Sequence, residues 1–330
     1  MQLWDIESDQ GLSLKGRFQR DADGNEVWVV IGKRSWRWIE GAWFELEESE
    51  VFDDPLYIGE PGLSAMKTDH EFAYFKANTD VLVFGKARSY AKKPTTQHEC
   101  RVLLDGHIDK TLKIMGERVW IEHGGGVTVS RPIEFIEREI DYSNAVGGDE
   151  RNRIGGGVAK SNAVLISQVV PSVFYPKEDW TPATNKIRVA GFGPIPPFFD
   201  ERRRYAGTFD ENWVETRKPM LPFDFDVAFN QSAPKDQQCN GYLLGGERIV
   251  LSGFCHDETL AFRIPSSTYT AVAHFGKHMR KETMSIYTLF IDTETKTLSL
   301  SYNASFPCQG EEHTLTKTRI DVAEVERTDA

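Results

Sequence analysis

Apolar residues in this chain recur at every second position in short runs, and each run ends at a turn residue. Successive side chains of a strand point to opposite faces, so this alternation marks strands, and the frequent turns make them antiparallel neighbours. Val27 to Ile31 and Trp36 to Ile39 read as a paired set, with Trp36 and Trp38 on one face. Val81 to Phe84 and Cys100 to Leu104 follow. Leu112 with Ile114, then Val119 with Ile121, predict a hairpin turning at Gly116-Glu117, and Tyr242 to Leu244 with Ile249 to Leu251 predict another at Gly245-Gly246. Leu260, Phe262 and Ile264 alternate before Pro265, and the clearest hairpin runs from Leu289 and Ile291 through Asp292 to Lys296 and back along Leu298, Leu300 and Tyr302. Helical signal is scarce. The expected class is mainly β, an antiparallel β-sandwich or stacked-sheet architecture with few short helices.

The glycine-rich passage from Gly147 to Gly157 is the expected seam. It divides the chain into a β-rich half, 1–149, and a second β-rich half, 150–330, that holds the least regular stretch, Gly191 to Gln238. There Pro194, Pro196, Pro197, Pro219 and Pro222 fix φ and remove backbone donors, so neither a long helix nor a central strand fits. One short helix has room, with Thr208 capping its start, Glu211 three residues on, Phe209 and Trp213 on one face, and Pro219 ending it.

This stretch also carries a resemblance. Gly191-Phe192-Gly193-Pro194-Ile195-Pro196, Gly207-Thr208-Phe209-Asp210-x-x-Trp213, Pro219-x-Leu221-Pro222-x-Asp224-Phe225-Asp226 and Ala233-Pro234-x-Asp236-Gln237-Gln238 form its signature. Earlier blocks agree: Lys76-x-x-Thr79-Asp80-Val81-Leu82-Val83-x-Gly85, then Ala145-Val146-Gly147-Gly148 and Asn152-x-x-Gly155-x-Gly157. The whole resembles a domain-of-unknown-function family encoded in bacterial type VI secretion gene clusters, near the genes for the spike protein VgrG, the PAAR tip and toxic effectors. The resemblance implies a non-enzymatic adaptor or loading chaperone, which binds an effector and brings it to the VgrG or PAAR spike. The family-signature residues carried over are Gly207, Asp210, Trp213, Pro219, Pro222, Asp224, Asp226, Pro234, Asp236 and Gln237. Phe198, Phe199, Arg202, Arg203 and Arg204 are the candidate protein-binding residues, because consecutive Pro-Pro-Phe-Phe is hard to bury and aromatics with arginines make binding hot spots.

Charge and composition narrow the alternatives. A net charge of −11 over 330 residues disfavours binding to nucleic acid, which depends on lysine and arginine displacing counterions. No run approaches the roughly 20 apolar residues of a membrane helix. Met1 to Gly11 lacks the basic start and apolar core of a signal peptide, so the expected compartment is the cytoplasm. Cys100, Cys239, Cys255 and Cys308 lie far apart and are expected as free thiols.

No catalytic, cofactor or metal motif emerges. Gly155 to Ser161 has Ala159 before Lys160 where a phosphate loop needs glycine, so it reads as a glycine loop crossing another backbone. Cys255 and His256 are adjacent, and adjacent strand residues point apart, while Tyr269 to Phe275 reads as strand or irregular, which argues against a helical pairing of His274 with His278. The alternative function rests on residues 209–226. Asp210, Glu211, Asp224 and Asp226 lie among Trp213, Phe223 and Phe225, a combination that a carbohydrate-binding or carbohydrate-cleaving protein would use.

Overall fold

The structure is a computed structural model, and it describes residues 4–182 and 186–323. Its centre is a six-stranded sheet built on the long strand Glu26–Ile39. Ser13–Arg20 pairs with that strand on one side and Thr297–Pro307 on the other, both antiparallel. Ser285–Asp292 continues the sheet, Asp80–Phe84 closes it in parallel register, and Ala42–Glu45 adds a sixth strand against the end of the long one. A five-stranded antiparallel sheet runs Val173–Phe174, Ile108–Met115, Gln97–Leu104, Arg248–Ser252, Leu260–Arg263. A four-stranded sheet runs Asp5–Glu7, Leu315–Val322, Tyr269–Phe275, His278–Thr283. The class is mainly β, with stacked, largely antiparallel sheets and three short α-helices among the described residues, as the alternation predicts.

One apolar core joins all three sheets. Trp28, Val30, Leu298 and Leu300 enter it from the central sheet, Val102, Leu104, Leu112 and Ile249 from the second, and Ala271, Phe275 and Ile320 from the third. Val27, Val29 and Ile31 point the other way and pack on Val51 and Phe72. From Val27 to Trp36 the long strand is therefore largely buried on both faces, which is why Val27 to Ile31 reads as an unbroken apolar run. Its polar residues are satisfied inside the protein: Lys33 Nζ donates to Glu71 at 3.0 Å and to the Glu50 carbonyl at 2.7 Å, and the Ser35 and Ser299 hydroxyls meet at 2.7 Å. Val27 to Ile39 is thus one strand and not a pair.

Two expected hairpins are also replaced. Ile108–Met115 returns along Gln97–Leu104 through Asp105-Gly106-His107, and Trp120–His123 pairs with Gly126–Val129, so Gly116-Glu117 is not a hairpin turn. Arg248–Ser252 pairs with Leu260–Arg263 rather than with residues near Tyr242. The Leu289 to Tyr302 hairpin forms as expected, with Asp292 opposite Thr297. At the seam, Val146–Gly147 lies parallel to Gly156–Gly157. A Cβ on Gly155 would lie 2.4 Å from the Ala145 carbonyl oxygen, so close backbone approach demands glycine there. Strands from both sides of Asp149 pair in each of the three large sheets, so a cut there would leave every one incomplete.

Candidate functional site

Between Val173–Phe174 and Arg248–Ser252 the chain makes a long excursion with few repeating backbone hydrogen bonds. Buried backbone groups need partners, and here buried side chains supply them. The Asp80 carboxylate accepts from Lys76 Nζ at 2.7 Å, Gln231 Nε2 at 2.7 Å and the Ser232 amide at 2.8 Å. Gln237 Nε2 donates to the carbonyls of Val81 and Phe192, both at 2.8 Å. Lys110 Nζ donates to the Gly191 carbonyl at 2.7 Å and to Asp236 at 2.8 Å. The block around Lys76 and Asp80 and the block ending at Gln237 are distant in sequence and are joined here.

The remaining signature residues shape a lobe. Asp210, and not Thr208, caps the helix Glu211–Thr216 by accepting from the Trp213 amide at 2.8 Å. Thr208 instead donates through its amide and hydroxyl to Asp224, at 2.9 and 2.7 Å. Gly207 has φ +80°, and a Cβ on it would lie 2.8 Å from Pro222 and 2.9 Å from Asp224. Asp226 accepts from the Ala228 amide at 2.8 Å. Trp213 Nε1 donates to the Met220 carbonyl at 2.8 Å, which folds the segment through Pro219 back onto the helix. Phe209 packs edge-on against Trp213 with centroids 4.8 Å apart, and Arg217 lies 4.4 Å over the Phe223 ring. Even so, Phe209 is 57% exposed, Val214 53% and Phe223 75%.

Of the candidate binding residues, Phe199 and Arg202 are buried and so are not surface anchors. Phe199 sits edge-on to Tyr142, 5.6 Å between centroids, because the turn after Pro196 directs it inward. Arg202 pairs with Asp69 at 2.7 Å and donates to the carbonyls of Phe229 and Ile195. Phe198 is half-buried, Arg203 is exposed and paired with Glu150, and Arg204 is exposed with Asp200 3.7 Å away.

A cleft of about 640 Å³ opens beside these residues. Tyr175 donates its hydroxyl to Asp236 at 2.7 Å, and Arg188 lies 3.6 Å over the Tyr175 ring with its Nε 2.7 Å from Glu178. Burial holds the Lys110 ammonium below its ordinary pKa, against the pull of Asp236. Desolvation, followed by the charge of Asp236, raises the Tyr175 phenol. Glu201 is a surface residue whose carboxyl end is crowded by protein; that desolvation raises its pKa while Lys110 and Arg204 oppose it. Asp236 is a signature residue, but Lys110, Tyr175, Arg188 and Glu201 were missed in the sequence, although Lys110 falls in phase with Ile108, Leu112 and Ile114 on the inward face of its strand.

Among the described residues no group of three or more His, Cys, Asp or Glu gathers as a metal site would require. His274 and His278 lie on the two strands of one hairpin, and Cys100, Cys239 and Cys308 are buried thiols. Among the described residues no helix is long and apolar enough to cross a membrane.

Fold and site together define a mainly-β protein whose irregular excursion is held by buried polar pins and bears an exposed aromatic lobe. A family model matches residues 23–303, and the chain belongs to that family, DUF2169, described as an uncharacterized protein conserved in bacteria. Comparisons with curated proteins and with solved structures give no match.

Proposed function

We propose that this protein is a non-enzymatic cytoplasmic adaptor, or loading chaperone, that holds a type VI secretion effector and passes it to the VgrG or PAAR spike. The observation that carries the reading is the lobe: the segment with the signature keeps Phe209, Val214 and Phe223 in solvent although a large core is available. Apolar side chains presented on an ordered scaffold suit a protein interface. The chemistry of the acids points the same way. Asp210, Asp224 and Asp226 are each engaged with the chain's own amides, as caps and turn anchors, which is a structural use of carboxylates rather than the free acid pair of a carbohydrate-cleaving site.

The test is affinity purification of the tagged protein from its native cells, followed by mass spectrometry. Wild type is expected to retain an effector encoded in the same gene cluster, with or without spike protein. The triple variant Phe209→Ser, Val214→Ser, Phe223→Ser is expected to lose it. Wild-type bait that carries neither effector nor spike component rejects the adaptor reading and directs the work to glycan-binding assays.

A further inference from the structure

We infer that the cleft beside the helix Asp200–Arg203 receives an acidic peptide segment, whose carboxylates lie against Arg188, Arg204 and Lys235. The protein carries a net charge of −11, yet this cleft is lined by six cationic side chains against three carboxylates. The lining is therefore richer in cations than the molecule as a whole, and a low-dielectric concavity focuses the field of those that reach its rim. Four of the six cations have carboxylate partners: Arg202 is buried on Asp69, Arg151 is held by Asp149, Arg188 meets Glu178 at 2.7 Å, and Arg204 has Asp200 at 3.7 Å.

The rim cations are placed for a ligand. Arg188 is 62% exposed, but its plane is fixed by the Tyr175 ring beneath and by Glu178 at its Nε, so its orientation is set before anything binds. Arg204 is 55% exposed, with its closest carboxylate 3.7 Å away, and Lys235 on the opposing 3-10 turn reaches only the amide oxygen of Gln238 at 3.2 Å. Charge-assisted contacts from such donors to carboxylates are the stronger class of hydrogen bond.

The other lining groups decide between anions. Glu201 and Asp236 also face the cleft, and a compact phosphate would be repelled by them. An acidic peptide alternates carboxylates with backbone N–H groups, and the amides can donate to those two acids while the side chains reach the rim. A volume of about 640 Å³ lies within the usual range of ligand clefts, roughly 300–1,000 Å³, and holds a short extended stretch. A nucleic acid is disfavoured by the overall charge.

This inference stands apart from the effector-binding lobe and is tested separately. Fluorescence anisotropy would follow a fluorescein-labelled peptide of alternating Glu and Gly, with the Gln and Gly peptide and inorganic phosphate as comparisons. Saturable binding to wild type is expected, weakened by salt, at least tenfold weaker in the double variant Arg188→Ala, Arg204→Ala, and weaker again with Lys235→Glu on the opposite wall. Near-ultraviolet circular dichroism checks that these surface variants stay folded. The lobe triple variant is expected to bind the peptide as wild type does, which keeps the two sites distinguishable. Absence of saturable binding, equal affinity in wild type and a folded rim variant, equal affinity for the Gln peptide, or displacement by phosphate at matched concentration each overturns the proposal.

Discussion

The Arg202 guanidinium lies enclosed with the Asp69 carboxylate at 2.7 Å, while its neighbour Arg203 lies on the surface against Glu150. Removing one partner of a buried pair leaves the other charged and desolvated, so Arg202→Ala is expected to cost about 3–5 kcal/mol. Arg203→Ala is expected to change stability by less than about 0.5 kcal/mol. Urea denaturation of the two variants gives the comparison, and similar midpoints would overturn the assignment. Asp69 also sets a pH dependence. Burial works to raise its pKa, but the charges of Arg202, His70 and Lys76 outweigh burial and leave it below the ordinary aspartate value. The unfolded chain then takes up the proton first on acidification. Stability from this group is complete above about pH 4, where the unfolded aspartate is ionised, and is lost as pH falls through the folded pKa. Asp69→Asn is expected to flatten that acid limb, measured as the urea midpoint against pH. At this scale the sequence was partly legible. Lys110 in phase with three apolar residues carries the signal of a buried cation, which the alternation argument passed over, whereas the burial of Phe199 and Arg202 depended on Tyr142 and Asp69, partners 57 and more positions away that no local pattern specifies.

Six residues make a marginal helix in water, and Glu211–Thr216 makes few contacts with the core, so its order depends on local devices. The Asp210 cap is one and the Trp213 bond to the Met220 carbonyl is another. Asp210→Ala is expected to cost about 1 kcal/mol of local stability. The lobe opens without global unfolding, so hydrogen exchange should rise across residues 207–226 while the urea midpoint stays put. Weaker effector capture is expected alongside, and unchanged exchange in that segment would show that the cap is not what orders it. Elements with one buried face were readable from alternation, as in Leu289 to Tyr302. The strand Glu26–Ile39 was split in the reading because burial on both faces erases alternation, and Lys33 and Ser35 look like an interruption until Glu71 and Ser299 supply their partners. Pairing was the least legible property. Gly116-Glu117 has turn chemistry, but Ile108–Met115 already has Gln97–Leu104 as its neighbour through the turn Asp105-Gly106-His107.

The sheets are assembled from both ends of the chain, and this governs how the molecule can come apart. Glu26–Ile39 needs Thr297–Pro307, Asp80–Phe84 needs Ser285–Asp292, and Gln97–Leu104 needs Arg248–Ser252. Each pairing spans the glycine seam. A fragment of residues 1–149 would therefore expose unpaired edges in the central and second sheets, together with the apolar faces that meet in the shared core. Separately produced 1–149 and 150–330 fragments are expected to aggregate or to lack near-ultraviolet circular dichroism, and to recover it when produced together. The intact chain is expected to lose tryptophan fluorescence and far-ultraviolet signal in one coincident urea transition, because a single core cannot be dismantled by halves. A soluble 1–149 fragment with cooperative unfolding of its own would overturn this. The lobe and the charged cleft would then belong to a separable second domain, and the polar pins from Lys76, Asp80 and Lys110 would be dispensable for the order of the excursion they now hold.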